Sequence, residues 1–183
     1  SKSIIGTSSY RREYQLKHIR NDLNYKLIRG NVDTRIKKLN EGLYDAIILS
    51  KAGIDSLNLN NHITQEFSIE ELIPSAGQGV IAVQCRNSDN DIKEILKKIN
   101  HQETNTCCVA ERELLKTLEG DCNTAIGAIS TVDKNTITLN VELFSKDGKK
   151  RYLIKSSKDL SLAKELGNEI GEFLKKKSQG SYK

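Results

Sequence analysis

Three short β-forming runs alternate with helix-spaced stretches over the opening part of the chain, and that alternation restricts the fold more than any other feature. Ile4-Ile5 ends the first run; Gly6-Thr7-Ser8-Ser9 then offers a turn with N-cap hydroxyls, and Leu16, Ile19 and Leu23 recur behind it at helical spacing. Tyr25 to Ile28 reads as a second strand, Arg29-Gly30-Asn31 as a turn, and Val32, Ile36 and Leu39 as one face of a short helix closed by Gly42. Tyr44 to Leu49 is a third strand. Strand-to-helix alternation predicts a mainly parallel α/β sheet. Such sheets take their ligands beyond the C-terminal ends of the strands, where Thr7 to Arg12 and Arg29 to Arg35 fall.

The pattern loosens between Asn58 and Gly79, and Pro74 with Gly77-Gln78-Gly79 marks a change of direction or hinge. Val80 to Val83 reads as another strand, and Asp91 to Asn100 as a helix with Ile92, Ile95, Leu96 and Ile99 along one side. Thr104 to Leu118 predicts a longer helix stopped by Gly120. Three strands follow, Thr124 to Val132, Thr136 to Ser145 and Arg151 to Ser156, and a helix from Leu160 to Lys176 closes the pattern. The expected organisation is an α/β domain with anion-binding loops and a hinge over 1–79, a strand-helix segment over 80–97, and a small α+β domain with a three-stranded antiparallel sheet over 98–183.

Composition removes several classes of function. No apolar run reaches membrane-spanning length, so no membrane partner is expected. The net charge of +5 owes much to Lys149-Lys150-Arg151 and Lys175-Lys176-Lys177, which read as solvated surface. With 5% aromatic residues and no recognised binding motif, nucleic acid is not an expected partner either. The four Cys form no C-x-x-C pair and the three His stand at no zinc-ligand spacing, so no metal is expected. Cys107 and Cys108 read as small buried apolar residues, which fits a reducing cytoplasm. The start, Ser1-Lys2-Ser3-Ile4-Ile5-Gly6, has no signal-peptide core and opens directly into a strand, as expected of a stretch cut from a longer chain.

Three clusters can carry chemistry. Thr7, Ser8 and Ser9 place hydroxyls and free amides at a helix start, with Arg11 and Arg12 in the first turn, an arrangement able to hold carboxylates or phosphates. The plain alternative is an ordinary N-cap beside surface arginines. Arg29 and Arg35 flank the start of the next helix, where cations oppose the helix dipole unless an anion compensates; salt bridges to Asp33 or Asp45 are the alternative. Cys122 lies in the polar loop Glu119-Gly120-Asp121-Cys122-Asn123, as an accessible thiol or an incidental surface cysteine.

Gly6-Thr7-Ser8-Ser9-Tyr10-Arg11-Arg12, Arg29-Gly30-Asn31-Val32-Asp33-Thr34-Arg35, Gly42 to Leu49, Ala76-Gly77-Gln78-Gly79, Ala110-Glu111-Arg112 and Gly120-Asp121-Cys122 occur in this order. Together they resemble the central and C-terminal parts of the porphobilinogen deaminase (hydroxymethylbilane synthase) family. The resemblance implies a cytoplasmic transferase of tetrapyrrole and haem biosynthesis that polymerises porphobilinogen to hydroxymethylbilane with release of ammonia. It implies a dipyrromethane cofactor held through a thioether at Cys122. Its implied binding residues for cofactor and growing pyrrole chain are Thr7, Ser8, Ser9, Arg11, Arg12, Arg29 and Arg35. It further implies a periplasmic-binding-protein-like central domain, a separate N-terminal α/β domain carrying the catalytic aspartate and packing on 80–97, a complete protein that is monomeric, and no turnover by this stretch alone. The competing reading is a non-enzymatic anion-binding module of periplasmic-binding-protein type. Departures from the family pattern are Asp121 in place of the second glycine of Gly-Gly-Cys, where a carboxylate would raise the thiol pKa; Thr124-Ala125-Ile126 in place of a proline; and Lys51 where small or apolar residues are usual.

Overall fold

In the computed structural model, which describes residues 2–121 and 123–183, the alternation closes into a three-stranded parallel sheet. Its strands are β1 (Ile4–Thr7), β2 (Asn24–Leu27) and β3 (Ala46–Ile47), in the order β2-β1-β3. Helices α1 (Tyr10–Ile19), α2 (Val32–Asn40) and α3 (Lys51–Asp55) each follow a strand. The third strand is much shorter than its apolar run. Tyr44 is already turned into the interior, where its hydroxyl donates to Leu27 O at 2.9 Å, and only Ala46 and Ile47 pair with β1.

Helix α1 departs from its apolar spacing. Ile19 is 56% exposed and Leu23 lies beyond the helix, whereas Arg11, Gln15 and Leu16 are buried. The polar pair is buried because α1 packs on the second half of the chain as well as on its own sheet. Its Tyr14 and His18 rings meet Phe144 edge-on at 5.8 and 6.4 Å.

That second half is a meander of β4 (Ile126–Asp133), β5 (Thr136–Phe144) and β6 (Arg151–Asp159), covered on one face by α5 (Gln102–Leu118) and α6 (Ala163–Ser178). Strand β5 shows why both faces are filled. Ile137, Leu139, Val141 and Leu143 point towards α5 and α6 and are wholly buried, each worth about 1.5–3 kcal/mol of burial. From Val141 onwards the opposite face is buried too, because α1 covers Glu142 and Phe144. Within this core Leu114, Leu118, Leu166 and Leu174 fall at helical spacing along the facing sides of the two helices.

Helix α5 ends at Leu118, as its spacing predicts, but Glu119 rather than Gly120 takes the left-handed conformation that stops it (φ 53), its N–H reaching back to Lys116 O at 3.1 Å. One expectation fails outright. Val80 to Val83 forms no strand, with Ile81 92% exposed. The helix after it, α4 (Asn90–Lys97), buries no residue and leaves Ile92 and Ile95 exposed, as does Ile99 just beyond it. A β-forming run becomes a strand only beside another strand, and none lies next to 80–83 among the described residues. None of the described helices is long and apolar enough to cross a membrane.

Candidate anion site

The order β2-β1-β3 means that the chain steps off one side of β1 and returns on the other, so the loops after β1 and β3 diverge at the C-terminal edge of the sheet. A crevice at such a switch point is where open α/β sheets hold ligands. The first loop is tightly built. Ser9 caps α1, its Oγ accepting from Arg12 N at 3.4 Å, and Ser9 N donates to Thr7 Oγ1 at 3.2 Å. Both hydroxyls therefore serve the cap, while Ser8 between them is exposed.

Arg12 spans the crevice, with Nη1 donating to Ile48 O at 3.2 Å, just past β3. Burial, and then the positive charge of Arg35, hold its guanidinium below the usual arginine range. The structure thus brings together two cations from successive helix starts. Arg35 is oriented by Nε donating to Gly30 O at 2.8 Å. That carbonyl is available because Gly30 sits at φ +123, where a Cβ would also meet the Thr34 side chain at 2.7 Å. Asn31 caps α2 through Thr34 N at 2.9 Å. Neither Asp33 nor Asp45 neutralises the pair: among the described residues no ion pair involves Arg11, Arg12, Arg29 or Arg35, and Asp45 instead accepts from Ile4 N at 2.7 Å. Arg29 is exposed, and its carbonyl takes Lys38 Nζ at 2.9 Å.

Arg11 points the other way. It is buried, with Nη1 donating to Ile73 O at 2.6 Å and Nη2 to Gln78 Oε1 at 3.3 Å. Burial lowers its pKa to about 10, the charge of Arg12 adding to the shift and Glu142 opposing it, so it stays protonated at neutral pH. Any carboxylate bound here would have to use the remaining guanidinium donors. Gln15 donates to the same Ile73 carbonyl at 3.0 Å.

From its far side the same segment is held by Glu111, a buried carboxylate that the sequence motif contained but to which no function was attached. Glu111 accepts from Gly77 N at 2.6 Å and Ser130 N at 2.7 Å, and Ala128 N donates to Pro74 O at 2.8 Å. Its spacing from Leu114 and Leu118 on α5 was the available signal, since those positions share one helix face. A cleft of about 390 Å³ beside it is lined by Gln78, His101, Cys107 and Cys108 among others, so the two cysteines are half-buried at a cleft wall rather than in the core. Burial raises the Glu111 pKa, against the two amide bonds that lower it. A carboxyl with a raised folded pKa binds its proton more tightly in the fold. Stability from this group should therefore rise as pH falls from the raised folded value towards the ordinary glutamate value, and level off below it. Urea unfolding of the parent and of Glu111→Gln should diverge over that window; parallel pH curves would remove Glu111 as the source.

Cys122, read as the attachment residue, lies outside the described residues. Around it Asp121 Oδ1 accepts from Asn123 N at 2.8 Å and Thr124 N at 3.0 Å, and these bonds, the Asn123 amide first, hold the carboxyl below its usual range. Asp121 thus gives the loop an internal fastening. Lys51 pairs with Glu66 at 2.6 Å on the surface. Among the described residues no group of His, Cys, Asp and Glu is arranged to hold a metal.

Arg12 and Arg35 stand near one another at the switch point of the parallel sheet of this α/β chain, with no carboxylate bridging them among the described residues, an arrangement able to hold an anion. The family model described as "Porphobilinogen deaminase, dipyromethane cofactor binding domain" matches residues 1–94, and that described as "Porphobilinogen deaminase, C-terminal domain" matches 105–176. The chain belongs to the porphobilinogen deaminase family. It is 45% identical over 148 residues to the porphobilinogen deaminase of Francisella tularensis subsp. novicida (strain U112), covering 81% of this chain and 49% of that protein. The porphobilinogen deaminase of Francisella tularensis subsp. tularensis (strain WY96-3418) is 44% identical with the same coverage. The chain spans about half the length of these curated relatives.

Proposed function

We propose that the complete protein is a hydroxymethylbilane synthase, a cytoplasmic and monomeric transferase that joins porphobilinogen units with loss of ammonia. The observation that carries this reading is the Arg12–Arg35 pair at the β1/β3 crevice, because each pyrrole brings an acetate and a propionate and the pair lacks an anion of its own. Bidentate guanidinium–carboxylate contacts hold such groups in a fixed plane. Arg29, at the exposed rim, extends the cationic wall, Arg11 adds its charge from behind with any donor not committed to Ile73 O and Gln78 Oε1, and the Thr7–Ser9 loop adds helix-start amides. The residues present fit a dipyrromethane, which supplies the pyrrole terminus from which the product grows. In this reading Cys122 holds the thioether, and the chain's own residues bind and orient carboxylates.

A wall of cations binds an anionic chain without supplying a general acid, and proton transfer and positioning are separate contributions. We accordingly place the acid in an N-terminal domain that packs on residues 80–97, whose exposed Ile81, Ile92 and Ile95 await a partner, and expect the 183 residues alone to bind without turnover. The first sheet then corresponds to a periplasmic-binding-protein-like domain.

Conversion of Cys122 to Ser in the complete protein should abolish covalent pyrrole, since a hydroxyl is protonated at neutral pH and is a far poorer nucleophile than a thiol. Intact mass with peptide mapping reads this directly. An active parent whose Cys122 peptide carries no added mass would overturn the attachment, and a parent with neither added mass nor turnover would favour a binding module.

A further inference from the structure

Residues 179–183 lie past the stretch matched by the C-terminal family model, and they turn back onto the end of α5. Gln179 (φ 51) and Gly180 (φ +75) are both left-handed and reverse the chain after α6. Ser181 O then accepts from Lys146 N at 2.8 Å, and Tyr182 enters the core between α5 and α6, 3% exposed. Its hydroxyl donates to Leu118 O at 2.9 Å. That carbonyl belongs to the last turn of α5, where no further helical N–H is available. Next to it, Glu119 holds a left-handed conformation that non-glycine residues seldom adopt, and its carboxylate lies between Lys175 Nζ at 3.1 Å and Lys183 Nζ at 2.6 Å. Lys175 also donates to Thr117 O at 3.3 Å.

These contacts converge on the residue at which the chain leaves α5. One φ/ψ pair there sets the direction of everything that follows. Asp121 fastens Asn123 and Thr124 to itself, so these residues follow the direction set at Glu119. We propose that the 179–183 tail is a brace that holds the left-handed exit at Glu119, with Tyr182 as a positioning residue for attachment at Cys122. This rests on the attachment reading given above. Without the anchors, Glu119 relaxes towards the right-handed region, and the direction in which the chain leaves α5 changes.

The test uses the complete apo-protein and porphobilinogen. Tyr182→Phe keeps the ring in the core and removes only the bond to Leu118 O. It should slow covalent mass gain at Cys122 about five-fold and speed amide exchange over 119–124 by a similar factor, the weight of one ordinary hydrogen bond. Exchange in β4, β5 and β6 should stay unchanged. Adding Glu119→Gly to Tyr182→Phe should restore attachment, because glycine takes the left-handed conformation without a Cβ penalty. Unchanged exchange and attachment in Tyr182→Phe would overturn the brace, as would a uniform speeding of exchange across the three strands, which would make Tyr182 a core residue only. A parent with no mass on Cys122 would instead defeat the attachment reading, and the exchange measurement would still decide the brace.

Discussion

Arg12→Leu in the complete protein should lower kcat/KM for porphobilinogen about 100-fold, the equivalent of about 3 kcal/mol, while leaving the thermal midpoint nearly unchanged. Among the described residues the side chain makes one bond to the rest of the fold, Nη1 to Ile48 O, so little folding energy depends on it. On the proposed reading its larger task is to face a substrate carboxylate beside Arg35, whose charge already acts on it, and leucine would leave that carboxylate desolvated without a partner. Arg12→Lys should recover only part of the loss, since a point charge replaces a planar fork. Arg20→Leu is the matched control, because Arg20 pairs with Asp22 on the surface. An Arg12→Leu protein within about threefold of the parent would take the residue out of the site.

The second large effect concerns stability. A Cβ on Gly167 would lie 2.2 Å from Ala110 O and 3.1 Å from Leu114 N, all backbone atoms of the opposing helix. Helices α5 and α6 touch here backbone to backbone, so a side chain must push them apart along the length of the shared core. Gly167→Val should destabilise by about 3 kcal/mol or more, at the upper end of overpacking, and lower the midpoint by about 6–12 °C or more. Gly120→Ala is the comparison, since its Cβ would meet only side-chain atoms at 3.7 Å and beyond. Equal midpoints for the two variants would mean that the helices separate without penalty, and would contradict the close crossing.

The elements that the sequence made legible are those whose pattern is satisfied locally. Ile137, Leu139, Val141 and Leu143 alternate because one sheet face meets two helices, and Leu166, Ile170 and Leu174 recur because α6 presents one stripe to them. The arginine clusters were legible for a similar reason, standing beside cap and turn residues that mark where helices begin. Polar residues recruited by tertiary packing were not legible in their actual roles. Arg11, Gln15 and Glu111 are surface types by composition, and only the meeting of α1, β4 and α5 around Ile73 to Gln78 buries them. The run Val80 to Val83 misled in the opposite sense, since its β-forming side chains specify a strand only in company.

The crossing at Ile73 to Gln78 has a mechanical side. Ile73 O is tied to α1, Pro74 O to β4 and Gly77 N to α5, so three structural elements share six residues of chain with little slack. On the proposed reading, a site that lengthens its product by one pyrrole at a time must yield somewhere as the load grows. This crossing is the stiff member, and the compliance then belongs to the sparsely packed stretch after Gly79, the part of the molecule with least to lose by moving.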